Sequence, residues 1–156
     1  MSNFRLVGLD ATFFAPLFDL DDDALRARGA RRRIATAASG FPCRISLQDA
    51  AVGEELLLLP FEHLAEDSPY RASGPIYVRR NAQARNLAAG EVPEYVSARQ
   101  ISLRGYSARH LMVDALVCEG AEVGARIDSL FADPKIAYAH LHNARPGCYS
   151  CRAERV

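Results

Sequence analysis

Residues 99–106 alternate apolar and polar side chains, and this period of two predicts a β-strand with one buried face. Ile101 and Leu103 point to one side, whereas the other side carries Ser102, Arg104 and Tyr106. A turn at 107–110 follows, and residues 111–118 predict a second strand that pairs back and is more deeply buried. A chain with this segment is expected to build an antiparallel sheet.

Further strands are predicted at 4–7, 34–36, 55–60 and 76–80, with a last hairpin that begins at Tyr138. Helices are predicted at 21–28, where aspartates open and arginines close the segment, and at 121–131, which has helical apolar spacing. The predicted fold class is α+β: a mostly antiparallel bent sheet or partial barrel with two or three covering helices. No linker divides the chain, so residues 1–156 are expected to form a single domain.

Charge and hydropathy narrow the classes of partner. Nineteen basic and nineteen acidic side chains cancel, so nucleic acid is not an expected partner. No apolar run is long enough to span a bilayer, and the first residues lack the pattern of a secretory signal. The expectation is therefore a cytoplasmic protein without membrane contact, whose four cysteines are reduced.

Several segments resemble the motifs of a known family: Phe41-Pro-Cys-Arg-Ile-Ser-Leu, Val52-Gly-Glu, Ser68-Pro-Tyr-Arg-Ala-Ser-Gly-Pro75, Ser102-Leu-Arg-Gly-Tyr106, and His140-Leu-His-Asn with Gly147-Cys148. In order and spacing they resemble the domain of unknown function 1203 family, over about residues 4–156. The resemblance implies one domain of this length, found mostly in bacteria. It implies no activity, cofactor or catalytic residue.

The last hairpin suggests a metal site. His140 and His142 are two residues apart on a strand and therefore share a face. If the turn is 143–147, Cys148 lies opposite His142 and joins that face, while Ser150 lies opposite His140. With Cys43 or a water as the fourth ligand, zinc or another divalent metal is the cofactor hypothesis, and the alternative is a pair of structural histidines. Cys151 is expected to turn away into the core.

A second hypothesis is an anion pocket, because arginine forks bind carboxylate and phosphate. Its predicted wall consists of Arg44, Arg71, Ser73, Arg104, Tyr106, His140, His142 and Asn143. The leading interpretation is a small-molecule binding domain or small enzyme that takes an anionic ligand.

Two further interpretations stay open beside the metal hypothesis. One is a non-enzymatic interaction domain that forms a homodimer through the edge of its sheet. The other is nucleophilic catalysis by Cys43 or Cys148 beside a histidine, with Asn143 as the orienting residue. The sequence decides neither whether the protein is an enzyme nor which reaction it would catalyse.

Overall fold

The computed structural model describes residues 1–156, which form ten β-strands in two sheets and four short α-helices. The strands are β1 (Phe4–Val7), β2 (Arg31–Ile34), β3 (Pro42–Cys43), β4 (Gln48–Asp49), β5 (Glu55–Leu64), β6 (Ala72–Arg79), β7 (Gln100–Tyr106), β8 (Met112–Glu119), β9 (Tyr138–Asn143) and β10 (Tyr149–Arg155). The helices are α1 (Ala11–Phe14), α2 (Asp22–Ala27), α3 (Glu94–Ser97) and α4 (Val123–Leu130), with 3₁₀ turns at Ala15–Asp19 and Gly120–Glu122.

The strands divide equally between two sheets. Sheet A has the order β1-β10-β9-β7-β8 and is antiparallel throughout. Sheet B has the order β2-β5-β6-β3-β4, in which only β3 and β6 are parallel. The predicted α+β, mostly antiparallel class is confirmed, but the chain forms two sheets where one was expected, and neither closes into a barrel.

Both helices predicted to cover the sheet are present, and their ends follow from local chemistry. Asp21 caps α2 by accepting a hydrogen bond from the Ala24 backbone N–H at 2.8 Å. Gly29, at φ 74°, ends the helix in the left-handed conformation that favours glycine. On α4, Val123, Ile127 and Leu130 are buried, so this helix covers sheet A with one apolar face.

Each sheet has its own apolar core. The larger cluster lies between α4 and one face of sheet A and includes Ile101, Leu103 and Leu141. The second packs the N-terminal helices against sheet B, through Phe14 and Leu25 among others. Because α4 covers the apolar face of sheet A, the polar side chains of the sheet lie on its other face.

Four predicted strands differ from the observed ones. The strand predicted at 34–36 lies at 31–34, β5 continues to Leu64 where 55–60 was predicted, and β6 starts at Ala72, four residues before its predicted start at 76. The second strand of the first hairpin, β8, is not deeply buried, since Val117 is 60% exposed and Val113 37%. The reason is topological: β8 pairs only with β7 and ends sheet A. No helix of the protein has the length and apolar character needed to cross a membrane.

Candidate functional site

The polar side chains of sheet A lie in three cross-strand rows, because residues paired in register share a face. Ser102 is paired with His142, which is paired with Tyr149. The next row joins Arg104, His140 and Arg152, and the third places Tyr106 beside Tyr138. We call this set of eight side chains the histidine face: Ser102, Arg104, Tyr106, Tyr138, His140, His142, Tyr149 and Arg152.

The register of the last hairpin differs from the predicted one. His142 lies opposite Tyr149, not Cys148, and His140 lies opposite Arg152, not Ser150. A β-bulge between Tyr149 and Cys151 adds one residue to β10 and shifts the pairing beyond it. Cys151 does turn into the core as predicted, where it is fully buried.

Sheet B covers the histidine face with the second half of β5. The imidazole of His63 stacks on the Tyr149 ring, with centroids 5.4 Å apart and planes at 11°. The same imidazole meets His142 edge-on at 4.9 Å and His140 at 6.0 Å. Three of the four histidines therefore meet between the two sheets.

Burial keeps these histidines neutral. It lowers the pKa of His140 to about 3 and that of His142 to about 4, and the nearby positive charge of Arg104 acts in the same direction. Burial, followed by the charge of Arg104, also lowers the pKa of His63. At neutral pH the histidine face can accept and donate hydrogen bonds, but its imidazoles supply no positive charge.

The tautomer of His142 follows from its neighbours. Its Nδ1 lies 3.0 Å from the Gly147 carbonyl oxygen, which can only accept, so Nδ1 carries the proton. The lone pair of Nε2 then faces Nη1 of Arg104 at 3.5 Å. Arg104 has no carboxylate within 4 Å, and its other side-chain partner is Ser102 Oγ at 3.3 Å.

Two buried ring nitrogens in this layer have no hydrogen-bond partner. They are Nδ1 of His63 and Nδ1 of His140, and both atoms are buried. His140 is only 3% exposed, so open solvent does not satisfy it. A buried polar atom without a partner is costly and usually marks an ordered water, an ion or a functional position.

The metal hypothesis finds no support in the geometry. No group of three or more His, Cys, Asp or Glu side chains is arranged so that it could hold a metal ion. Cys43 Sγ accepts a hydrogen bond from the Arg79 backbone N–H at 3.3 Å, and Cys148 Sγ accepts one from Arg44 at 3.0 Å. The guanidinium beside His142 would repel a cation at that lone pair.

A cavity of about 1000 Å³ opens between the two sheets at the turn that joins β9 to β10. We call it the inter-sheet cavity. His63 and Tyr149 belong to its wall, so it adjoins the histidine face. Its polar and charged lining residues are Arg44, His63, Ser73, Tyr77, Arg99, Gln100, Glu119, Asn143, Arg145, Cys148 and Tyr149.

Arg44 is the most buried charged residue of this cavity, with 1% of its surface exposed. Its Nε donates to the Tyr149 carbonyl oxygen at 2.7 Å, Nη1 to the Pro42 carbonyl oxygen at 2.6 Å, and Nη2 to Cys148 Sγ at 3.0 Å. No carboxylate lies within 4 Å of the guanidinium. The cavity is thus built around a buried cation without a protein counter-charge.

The structure divides the residues predicted for the anion pocket into three groups. Arg44, Ser73 and Asn143 line the inter-sheet cavity. Four others belong to the adjoining histidine face: Arg104, Tyr106, His140 and His142. Arg71 is not among the residues of either group; it is exposed and forms a two-point ion pair with Glu62 at 2.9 and 3.1 Å. The structure therefore does not bring Arg71 together with the other predicted pocket residues.

Sequence reasoning missed His63, Arg99, Arg145 and Tyr149 as residues of the site. His63 follows Phe61 at a spacing of two near the end of a strand, which signals a shared face. Arg145 precedes Pro146-Gly147, a pair that predicts a turn, so its position in a turn could have been predicted. Nothing local in the sequence places Arg99 at the cavity, because its neighbours there come from distant segments.

Comparison with protein families gives one match. Residues 40–155 match the model of a family described as protein of unknown function (DUF1203). The chain belongs to this family. Every residue that lines the inter-sheet cavity lies in the matched segment, as does the histidine face, so the candidate site falls within the DUF1203 domain. Neither the curated proteins nor the solved structures include a match to the chain.

Proposed function

We propose that the inter-sheet cavity binds a small anionic molecule that carries a carboxylate or phosphate group. The observation that supports this proposal is the guanidinium of Arg44, which is buried beside the cavity and has no acidic partner. An anion in the cavity would supply the missing counter-charge.

Burial of the Arg44 guanidinium carries a desolvation cost. Removing an ion from water costs several kcal/mol even after the protein relaxes, and the cost is offset only by good partners. Arg44 gives three of its five N–H donors to two carbonyl oxygens and the sulfur of Cys148. All three partners are formally neutral when Cys148 is a thiol. Two donors are left for a ligand, and arginine presents them in a planar fork that matches carboxylate and phosphate.

The rest of the charged lining favours an anion as well. Arg145 is exposed and forms no ion pair, whereas Arg99 is neutralised by Asp49 at 2.7 Å. Glu119 is the one carboxylate among the lining residues. The cavity therefore has an excess of positive charge, which attracts and concentrates anions.

The test is a thermal-shift titration with citrate and inorganic phosphate, and with a neutral polyol as the reference, followed by calorimetry of the better ligand. We expect a saturable rise in Tm, because a ligand that binds only the folded state adds about 2.7 kcal/mol at a hundred times Kd. Arg145→Glu should weaken binding at least about tenfold, since it reverses a charge at the cavity mouth.

Arg109→Glu is the matched control, because Arg109 is also an exposed turn arginine of sheet A without an ion pair, and it does not line the cavity. It should leave the affinity unchanged. Absence of any Tm rise with both anions, or equal losses from the two charge reversals, would remove the basis for this function.

A second candidate is homodimer formation through β8. This strand is one of the two edge strands of sheet A. Val113 and Val117 on the strand are exposed, as is Leu111 just before it. Two copies of one edge can pair antiparallel about a two-fold axis, and exposed apolar edges favour such pairing. Sedimentation equilibrium should show a dimer that Val117→Lys converts to a monomer, whereas a monomeric wild-type protein rejects this candidate.

A further inference from the structure

We propose that Cys148 is the nucleophile of the inter-sheet cavity and reacts with an electrophilic carbon carried on an anionic small molecule. This inference rests on the proposed anion binding for the delivery of that molecule. It adds a covalent step that the binding proposal does not require.

Cys148 differs from the other three cysteines in accessibility. Cys43 and Cys151 are fully buried and Cys118 is 6% exposed, whereas Cys148 is partly exposed and lines the cavity. Burial raises the pKa of Cys151 to about 12, and burial is also the main reason why the pKa of Cys118 is raised. Accessible sulfur in the cavity is therefore confined to one residue.

The sulfur of Cys148 is surrounded by N–H donors. Nη2 of Arg44 approaches at 3.0 Å and Nδ2 of Asn143 at 3.8 Å. These donors face the atom on which negative charge develops when the S–H bond breaks, and a nearby guanidinium is a common feature of reactive cysteines. The thiol is thus held in a cationic, partly open environment.

A second observation at the same place points to a bound molecule. Asn143 is 5% exposed and lines the cavity, and its Oδ1 is buried without a hydrogen-bond partner. An unsatisfied buried acceptor costs free energy that a donor on a ligand would recover. An acid or hydroxyl group of the anionic molecule is the natural donor beside the sulfur.

The proposed step is a displacement. The sulfur of Cys148 forms a bond to the electrophilic carbon, the bond from that carbon to its leaving group breaks, and the leaving group takes the electron pair. The thiol proton passes to solvent, and the product is a thioether. No oxidant or reductant takes part.

Alkylation with iodoacetate and with iodoacetamide tests this step, since the two reagents share a leaving group and differ in charge. Peptide mapping of the folded wild-type protein should find Cys148 modified before the other three cysteines. For Cys148, the alkylation rate with iodoacetate divided by the rate with iodoacetamide should be roughly tenfold higher than the same ratio for glutathione, a free thiol, because the cavity concentrates the anionic reagent. Arg145→Glu should lower the ratio to that of glutathione, and Arg109→Glu should not change it.

Two measurements on the wild-type protein separate this inference from the binding proposal: the cysteine that is alkylated first and the Kd for citrate. A Cys148→Ser variant should lose the fast alkylation. If another cysteine reacts first, or if the rate ratio equals that of glutathione while citrate still binds, the nucleophile assignment is wrong and the anion site stands. If citrate does not bind and Cys148 reacts without preference for the anionic reagent, both proposals fail.

Discussion

Arg44 Nε donates to the Tyr149 carbonyl oxygen over 2.7 Å and thereby joins sheet B to sheet A. The backbone of Arg44 takes part as well, because its carbonyl oxygen accepts from the Leu9 N–H at 2.9 Å, close to the end of β1. One residue therefore connects the two sheets and supplies the buried charge of the inter-sheet cavity. Loss of this residue is expected to affect both stability and binding.

Replacement of Arg44 by lysine tests the structural half of this role. Lysine retains the positive charge but lacks the planar fork, so the carbonyls of Pro42 and Tyr149 lose well-placed donors. Buried carbonyls left without donors should lower the free energy of unfolding by about 2 to 4 kcal/mol, measured by urea denaturation. The control is Arg145→Lys, the same substitution at an exposed position, which should change the free energy of unfolding little. A loss below about 1 kcal/mol for Arg44→Lys would show that the guanidinium fork is dispensable for stability.

The buried histidines predict a dependence of stability on pH. Their pKa values are about 3 for His140 and about 4 for His142, below the ordinary 6.5 that applies to the unfolded chain. Between about pH 6.5 and 4 the unfolded state binds protons that the folded state does not, so stability falls as pH falls through this window. Above it both states are neutral at these positions and the contribution vanishes.

A His140→Gln variant tests this effect through the slope of the unfolding free energy against pH. Each such histidine adds up to about 1.4 kcal/mol per pH unit to the pH dependence of the unfolding free energy. The slope near pH 5 should therefore decrease by about that amount in the variant, whatever its absolute stability. Equal slopes for the variant and the wild type would mean that His140 titrates alike in both states.

Arg71 should contribute little to stability or to anion binding. Its ion pair with Glu62 joins side chains that are 56% and 41% exposed, and such pairs contribute about 0 to 1 kcal/mol. Arg71→Ala is expected to lower the unfolding free energy by less than about 1 kcal/mol and to leave citrate binding unchanged. Loss of citrate binding in calorimetry would show that Arg71 belongs to the anion site after all.

Local patterns predicted the parts of the fold and site that depend on neighbouring residues. The common face of His140 and His142 follows from the strand period, and the inward position of Cys151 follows from the same alternation. The aspartates at the start of the helix predicted at 21–28 are a local signal as well, and in the structure Asp21 caps α2 by accepting a hydrogen bond from the backbone N–H three residues on.

Long-range pairing accounts for what the sequence could not predict. The turn pairs His142 with Tyr149, and the bulge between Tyr149 and Cys151 then pairs His140 with Arg152, without any local signal in the sequence. Arg44 follows a short strand that is placed parallel to β6, and only this placement buries it between the sheets. The exposure of β8 depends on its having no second neighbour, which no pattern within β8 encodes.

The most direct measurement of the central claim is a ¹⁵N-resolved NMR titration that follows the side-chain Nε–Hε signals of the arginines as citrate is added. Since Arg44 Nε–H is buried and hydrogen-bonded to Tyr149, its signal should be visible and well separated. We expect a saturable shift at Arg44 and no specific shift at Arg71. An Arg44 signal that stays in place while surface arginines shift would contradict anion binding at this guanidinium.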